Sequence, residues 1–542
     1  MTVRIRHLTA LLLVAAACAD PGPRRGGTAV IAAGSDLDYA NPLVSADKYT
    51  NEVLRYVLFT PLIRYGPDFG YEPALARSWE LEGDTGVVFR LREDVTWHDG
   101  RPTTAHDVLF TFRSARDPAT GFANAGYFTR WTDATVVDSF TIRFGFEPHA
   151  DPLAGWPFTP VAPAHLLDTV PAERMRTAAF NTAPVGNGPF RFVRYRPGDR
   201  WVFEANPGYP EALGGAPLLD RLVWRVIPES SAQVTEVRVG EVDLAIHARP
   251  EQVMELADRE GLRGVYRPSR QFSFIVWNAR RPPLDDARVR RALALSIDRE
   301  EILQGLRRGL GELAVGPVSP FHWAWADHLA PLPFEPDSAR TLLDAAGIRD
   351  TDEDGVRELP SGDPFVVEIK LPAGSDYNRD MAEAIRADLE TVGVRATTRP
   401  TEATTLFADI LSPERRFDAA LLGWEADVRL DLRDLFHSGA LDGEYQFASY
   451  TNPEVDSLLD RATIEPDRER AGPLWHRVQE LLLRDQPWTV LYYQTDAFLA
   501  RDRLRGLDMD IRGALVHVAD WWIEPAREAG ASGDVAPDTG GG

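Results

Sequence analysis

An acidic segment that begins at Asp350 has the carboxylate spacing of a calcium-binding loop. Asp350, Asp352 and Asp354 stand at its first, third and fifth positions, and Gly355 follows at the sixth. Oxygen ligands at this spacing, with a glycine for the sharp turn, are typical of Ca²⁺ loops. Such loops also carry a bidentate glutamate at the twelfth position, where this chain has Ser361. The segment therefore indicates either a weak calcium site or an acidic surface turn.

A second candidate for chemistry is the adjacent pair His98 and Asp99, which together could act in acid–base catalysis. Neighbouring residues of an extended chain point to opposite sides, and Asp-Gly at 99–100 is a strong turn signal. The chain has neither a Gly-x-Ser-x-Gly nor a His-Glu-x-x-His motif, and its 11 histidines are scattered. We therefore predict a protein that is not an enzyme and holds no cofactor, with a secreted hydrolase as the alternative.

The single cysteine, Cys18, follows a segment with the features of an export signal. Basic residues come first, and the apolar run 8–17 is too short to span a bilayer. A bacterial lipoprotein signal usually reads Leu-small-small-Cys, whereas residues 15–18 read Ala-Ala-Ala-Cys. We predict a signal peptide over 1–18, lipid attachment at Cys18 and a tether over 19–27, which places the protein outside the cytoplasm, in the periplasm, with a lipid anchor in the membrane. The alternative is cleavage near residue 17 that leaves a free thiol.

The overall charge excludes one class of partner. The chain has 82 Asp and Glu against 59 Lys and Arg, a net charge of -23. A phosphate backbone requires a basic surface, so we expect no nucleic acid partner. The length of 542 residues exceeds that of one compact core and predicts two to four domains.

Predicted strands and helices alternate along the chain, which indicates mixed α/β domains. Apolar runs predict strands over 28–33, 272–277 and 488–493, and helical spacing predicts an amphipathic helix over 286–296. The tail 528–542, rich in glycine and aspartate, is predicted to be disordered. A cleft between two α/β lobes is the default place for a binding site.

Several segments along the chain form one collinear pattern. They are 73–80 (PALARSWE), 89–92 (FRLR), 97–108 (WHDGRPTTAHDV), 184–190 (PVGNGPF), 206–209 (NPGY), 285–292 (DDARVRRA) with 297–299 (IDR), 423–427 (GWEAD) and 450–456 (YTNPEVD). This pattern resembles the family 5 extracellular solute-binding proteins, the dipeptide and oligopeptide receptors of ABC importers. The resemblance covers roughly residues 28 to 525.

The resemblance implies a two-lobed periplasmic-binding-protein fold of type II, in the large group with an extra subdomain and with the ligand cleft between the lobes. Lobe 1 would consist of a discontinuous subdomain and an inserted one, and lobe 2 would follow as a single block joined to it by two strand-like crossings. The implied ranges are 28–66, 184–270 and 493–527 for the discontinuous subdomain, 67–183 for the insertion and 271–492 for lobe 2.

The resemblance also implies a ligand contact at Asp427. In the peptide receptors of this family, the aspartate of the Gly-Trp-x-x-Asp segment pairs with the ligand's α-amino group, and a carboxylate accepts a charge-assisted hydrogen bond from an ammonium. The chain departs from the family pattern after Asp427, because no proline follows. Glu425 and Asp431 are alternative carboxylates, and Trp424 and Trp277 could line the cleft.

The resemblance further implies a monomer that passes its ligand to the permease of an ABC importer. The ligand would be a peptide. A nickel chelate or a sugar stays open as an alternative, because receptors for these solutes share the same segments.

Overall fold

The computed structural model describes residues 23–525. The predicted signal peptide, Cys18, the first part of the predicted tether 19–27 and the tail 528–542 lie outside the described residues. Within 23–525, no helix combines the length and the apolar character needed to cross a membrane.

Strands and helices alternate through the described residues. The strands are β1 Thr28–Ala33, β2 Ile63–Tyr65, β3 Tyr71–Pro73, β4 Ala76–Leu81, β5 Gly86–Leu91, β6 Trp131–Asp138, β7 Thr141–Phe146, β8 Phe190–Arg196, β9 Arg200–Ala205, β10 Arg221–Val226, β11 Leu244–Ala245, β12 Leu262–Trp277, β13 Gly311–Leu313, β14 Val366–Pro372, β15 Arg395–Thr401, β16 Ala419–Glu425, β17 Trp488–Arg501, β18 Leu504–Arg505 and β19 Trp522–Ile523. The α-helices are α1 Lys48–Val53, α2 Ala105–Arg116, α3 Ala164–Leu167, α4 Ser230–Val239, α5 Pro250–Leu256, α6 Ala287–Leu295, α7 Arg299–Arg307, α8 Pro336–Ala345, α9 Asp376–Thr391, α10 Ala403–Leu411, α11 Arg433–Phe436, α12 Pro453–Ile464 and α13 Arg468–Asp485. Single π- and 3₁₀-helical turns, among them the π-helix Leu54–Leu58 that continues α1, join these elements.

Local sequence signals account for many of the helix ends. The Asp286 side chain accepts a hydrogen bond from the Arg288 amide and begins α6, and Asn452 does the same for α12, with Pro453 in the first turn. Helix α4 ends at Gly240, whose φ of 89° is easily adopted only by glycine. The helix predicted over 286–296 is thereby confirmed as α6.

One long sheet runs through both lobes. Its strand order is β15-β14-β16-β12-β17-β11-β1-β10-β9-β8, with β13 added beside β17. A separate antiparallel sheet, ordered β4-β5-β7-β6, lies between residues 76 and 146. Strands β12 and β17 lie side by side near the centre of the long sheet. On one side β12 pairs with β16, and on the other β17 pairs with β11, so these two strands are the crossings between the lobes.

The pairing of β12 with β17 is interrupted near its middle. Arg267 lies opposite Asp496 and Pro268 opposite Thr495, but the register shifts before Phe272, which lies opposite Tyr493. An irregularity of this kind bends a strand and redirects its side chains. The side chains of residues 267, 269 and 270, at and next to this irregularity, line the space between the lobes.

The hydrophobic cores divide at the same place. Two cores are built from buried residues within 29–256 and 497–521, and the other two from buried residues within 272–493. The fold is therefore the predicted two-lobed α/β architecture, and each lobe has apolar cores of its own on its part of the long sheet.

The segment at 184–190 approaches another backbone segment closely. A Cβ atom on Gly186 would lie 1.9 Å from the Leu58 carbonyl oxygen, and one on Gly188 would lie 2.6 Å from the Leu58 carbonyl carbon. The backbone amides of Asn187 and Gly188 both donate to the Leu58 carbonyl oxygen, at 3.1 and 2.9 Å. Only glycine leaves room for this contact, which anchors the start of β8 against the π-helix.

Candidate ligand-binding cleft

A cavity of about 460 Å³ lies between the two lobes. Helix α1 and the π-helix line it from lobe 1, together with aromatic residues of two 3₁₀ turns, and the loop that follows β16 lines it from lobe 2. Its volume falls in the range of small-molecule sites. Although the whole chain is strongly acidic, the basic side chains that line the cavity slightly outnumber the acidic ones.

Asp427 lies in the loop after β16 and faces this cavity. Its Oδ1 accepts a hydrogen bond from the Tyr127 hydroxyl across the cleft and one from the Arg429 amide at 3.3 Å. Burial and the Asp427 charge raise the pKa of Tyr127 well above its ordinary value, so the hydroxyl keeps its proton and donates. No basic side chain of residues 23–525 lies within 4.0 Å of the Asp427 carboxylate. Its charge is therefore available to a cationic group of a ligand.

The two alternative carboxylates are already neutralised. Glu425 forms an ion pair with Arg270, and Asp431 forms one with Arg433 at 2.9 Å. Burial raises the pKa of the Asp431 carboxyl, but the hydrogen bonds from Arg433 outweigh it and lower that pKa below its ordinary value. Both residues line the cavity, yet a ligand amine would have to compete with an arginine for either of them.

The two tryptophans differ in their positions. Trp424 lines the cavity from the end of β16 and is partly exposed, with its ring 5.7 Å from that of Tyr445 and 5.9 Å from that of Trp488. Trp277 does not lie in the cleft. It is fully buried in a core of lobe 2, where its indole nitrogen donates to the Thr489 hydroxyl at 2.9 Å. Inside that core its large apolar surface is buried and its indole N–H has a hydrogen-bond acceptor.

Several cleft residues escape sequence reasoning. Tyr127 and Phe158 come from separate 3₁₀ turns and stack with ring centroids 5.9 Å apart, and Arg55, Arg270 and Arg429 line the same cavity. No motif contains the two aromatic residues, and arginine is so frequent in this chain that its type carries no signal. Only Arg429, two residues after Asp427, stands beside a nominated residue.

The adjacent residues His98 and Asp99 have separate partners and form no dyad. The His98 Nε2 lies 3.1 Å from the Gly188 carbonyl oxygen, while Asp99 pairs with His165 at 2.8 Å. Gly100 has a φ of 90° and donates its amide to the Trp97 carbonyl at 2.8 Å. The predicted turn is confirmed.

The family model for "Bacterial extracellular solute-binding proteins, family 5 Middle" matches residues 70–438. This range is more than half of the chain and includes the Gly-Trp-x-x-Asp segment. The chain belongs to the family 5 extracellular solute-binding proteins.

Several relatives of this solute-binding protein carry peptide-binding names. It is similar to the oligopeptide-binding protein AppA of Bacillus subtilis, with 26% identity over 92% of each chain, and to the dipeptide-binding protein of Escherichia coli, with 25% identity over 81% of this chain and 84% of that one. The solved structure of Bacillus subtilis AppA in complex with a nonapeptide matches with a TM-score of 0.77 and 25% identity, over 93% of this chain and all of that one.

A buried ionic network closes the end of the cleft next to the crossing strands. Arg267 contacts Asp496 at 2.8 Å and Glu52 at 3.8 Å, and Lys48 contacts Asp496 at 3.6 Å. Burial alone would lower the pKa of Arg267, but the two carboxylates raise it above its ordinary value. The Glu52 carboxylate also accepts the Leu515 amide at 3.0 Å. The network ties α1 of lobe 1 to both crossings.

His322 lines the cleft from lobe 2 as a neutral imidazole. Its Nδ1 accepts the Ala324 amide at 3.2 Å, and its Nε2 donates to the Val428 carbonyl at 3.0 Å. Burial, with Arg468 nearby, lowers the pKa of His322 to about 4. The ring thus supports the loop that carries Asp427 without adding charge to the cavity.

A pH dependence of stability follows from this histidine. The pKa of His322 is about 4 in the folded protein against the ordinary 6.5, so between these values only the unfolded chain binds the proton. The contribution of His322 to the free energy of unfolding is therefore fully present above pH 6.5. As the pH falls to 4, the free energy of unfolding decreases by about 2–3 kcal/mol. We expect His322→Gln to lose less stability than the parent over this range, measured by urea unfolding. Parallel pH profiles for the two proteins would contradict this.

The acidic segment lies on the surface, away from the cleft. Asp350, Asp352 and Asp354 come together with Glu358, and one carboxylate oxygen from each lies within 4.8 Å of the others. The calcium-loop pattern places the fourth carboxylate at position 361. In the structure the fourth carboxylate is that of Glu358, three positions earlier, which accepts a hydrogen bond from the Thr351 amide at 2.7 Å and closes the turn. Calcium binding by this turn stays a prediction.

Proposed function

We propose that this protein binds peptides with a free amino terminus in the interlobe cleft and delivers them to the permease of an ABC importer. The observation that carries the proposal is the state of Asp427. Of the three carboxylates nominated from the sequence, it alone faces the cavity without an arginine partner among the described residues. The family and the peptide-binding names of its relatives support the same ligand class.

A peptide amine bound at the Asp427 carboxylate, beside Tyr127, would be held in a site with little water. A charge-assisted hydrogen bond contributes little binding free energy in bulk water. It contributes considerably more where the two lobes exclude water. The wall opposite Asp427 is aromatic, because Phe158 stacks on Tyr127. Such a wall packs against peptide backbone without selecting one side chain.

The lobes would close by bending at the interrupted part of the crossing strands. Lobe 1 would comprise 28–66, 184–270 and 493–527 with the insertion 67–183, and lobe 2 would comprise 271–492. These limits are supported by the register shift between Pro268 and Phe272 and by the division of the cores on either side of it. Hinges usually consist of a few residues at such element breaks.

The proposal also includes the location, the membrane anchor and the oligomeric state of the protein. We place it outside the cytoplasm as a monomer, held at the membrane by lipid on Cys18. The support is the apolar run before that cysteine and the extracellular family to which the chain belongs. Mass spectrometry of protein from a membrane fraction tests the anchor through the added mass at Cys18.

Native mass spectrometry of the purified protein tests the ligand class directly. We expect co-purified masses that fragment as peptides, and calorimetry with the same peptides should return one site per chain. Incubation with peptides and oligosaccharides should leave them intact, whereas turnover would favour the hydrolase alternative. A metal chelate or a sugar as the co-purified ligand would contradict the peptide assignment.

A further inference from the structure

Two histidines and a glutamate come together on the surface of lobe 2. The Nε2 atom of His328 lies 3.4 Å from the Oε1 atom of Glu480, and the ring centroids of His328 and His476 are 5.4 Å apart. His476 and Glu480 are four positions apart on α13, so they share one face of that helix. The side chains of His328 and Glu480 are 48% and 36% exposed. An ion can therefore reach them from solvent.

The two measured distances match those of ligands that share one tetrahedral ion. Histidine nitrogens and carboxylate oxygens lie about 2.0–2.2 Å from Zn²⁺, so two such atoms at a tetrahedral angle are about 3.4 Å apart. Each imidazole nitrogen lies about 1.1 Å from its ring centre, which places two coordinated rings about 5 Å apart between centres. The nitrogens of His476 do not yet reach the same point as the other two ligand atoms, so its ring has to rotate when the ion binds.

The loop that carries His328 is fixed to the same helix by a buried glutamine. The Gln479 side chain accepts a hydrogen bond from the Ala326 amide at 3.2 Å and donates one to the Ala324 carbonyl at 2.8 Å. Gln479 is 3% exposed, so these bonds are shielded from water. Because Gln479 directly precedes Glu480, the same contact holds the backbone of the loop beside α13. An ion therefore meets a frame that is already assembled, which reduces the entropy lost on binding.

The charges around the three side chains favour a cation. The Oε2 atom of Glu480 pairs with Arg477 at 2.8 Å, while its Oε1 atom faces His328. The hydrogen bond from Arg477 lowers the pKa of Glu480 below its ordinary value, so the carboxylate is ionised at neutral pH. Arg477 also pairs with Glu454 at 2.9 Å. One arginine thus stands between two carboxylates, and a negative charge remains.

We propose that His328, His476 and Glu480 bind a divalent ion of the zinc class. Two imidazoles and one carboxylate suit Zn²⁺, whereas Ca²⁺ and Mg²⁺ take oxygen ligands. With three protein ligands, a water molecule completes the tetrahedron. The ion joins the loop to α13 and stabilises lobe 2, because it binds the folded chain and not the unfolded one. None of the three residues lines the interlobe cavity, so the site is independent of the proposed function.

The test is calorimetry with zinc chloride on the tag-free protein, after a chelator has removed any metal. We expect one Zn²⁺ per chain, and excess Ca²⁺ should not displace it. His328→Ala, His476→Ala and Glu480→Gln should each weaken binding at least tenfold, because even the loss of a group that only supports a ligand costs about 10–100-fold. The melting temperature of the parent should rise with the zinc concentration, and that of His476→Ala should not.

Two matched variants separate this site from others. His106→Ala removes an exposed histidine of α2 and should bind zinc as the parent does. Asp352→Asn removes a carboxylate of the acidic surface turn and should also leave the affinity unchanged. If Asp352→Asn abolishes binding and the three ligand variants do not, the ion binds in the acidic turn and the inference is wrong. A parent that binds no zinc, or three ligand variants that bind it with the affinity of the parent, would overturn it as well.

Discussion

We expect Asp427→Asn to bind a free-amine peptide about tenfold to a hundredfold more weakly than the parent protein. The substitution keeps the shape of the side chain and an oxygen that accepts from Tyr127, so it removes the charge and little else. A hydrogen bond to a charged group contributes about 1.5–3 kcal/mol, and each 1.4 kcal/mol changes a dissociation constant tenfold. Isothermal titration calorimetry at neutral pH measures the effect.

Acetylation of the peptide amine removes the charge from the ligand, as Asp427→Asn removes it from the protein. The two changes together form a thermodynamic cycle. The parent protein should discriminate against the acetylated peptide, and Asp427→Asn should bind the two forms almost equally, because the partner of the ammonium is gone. Glu425→Gln is the matched control, since the Glu425 carboxylate already pairs with Arg270. A larger loss for Glu425→Gln than for Asp427→Asn would move the amine site to Glu425.

The second large effect concerns stability. Replacing Arg267 with leucine should lower the free energy of unfolding by about 3–5 kcal/mol, the usual cost of removing one partner from a buried ion pair. The Arg267 side chain is 2% exposed and that of Glu52 is 3% exposed, so Glu52 would be left charged and without its cation inside the protein. Asp496 would keep only Lys48, at 3.6 Å. Urea denaturation followed by circular dichroism measures the change.

A second in-register pair provides the comparison for that result. Arg191 and Glu204 face each other across β8 and β9, as Arg267 and Asp496 do across β12 and β17. The exposed pair has side-chain exposures of 45% and 33%, and Arg191→Leu should cost no more than about 1 kcal/mol. Equal losses for the two variants would show that Arg267 contributes no more than a surface charge. The double variant Glu52→Gln with Arg267→Leu should recover part of the loss.

Sequence reasoning located the crossing strands only in part. It predicted strands over 272–277 and 488–493, whereas β12 begins at Leu262 and β17 extends to Arg501. The missing halves contain Arg267 and Asp496 among their apolar residues, so they lack the continuous hydrophobic run of a buried strand. These charges are tolerated because each lies opposite the other in the pairing register, a relation between residues more than two hundred positions apart.

The tryptophans show the same limit. Trp277 and Trp424 are equivalent by type, and both lie at the ends of apolar strand segments. Their burial differs because β12 is packed inside a core of lobe 2 at Trp277, while Trp424 lies next to the end of β16, where the strand borders the cleft. Burial depends on what covers a strand, and a single strand does not carry that information.

By itself the sequence determined the α/β class, the family with its two lobes, the turn at 97–100 and the aspartate nominated for the ligand amine. These depend on local patterns and collinear segments, which are read along the chain. Only the tertiary structure decided which carboxylates remain free and which arginines face them. Ion pairing in a cleft depends on distances between side chains that come from α1, two 3₁₀ turns, β12 and the loop after β16. The packing of the lobes sets those distances, and this is why only the folded molecule shows that Asp427 has no arginine partner while Glu425 and Asp431 have one.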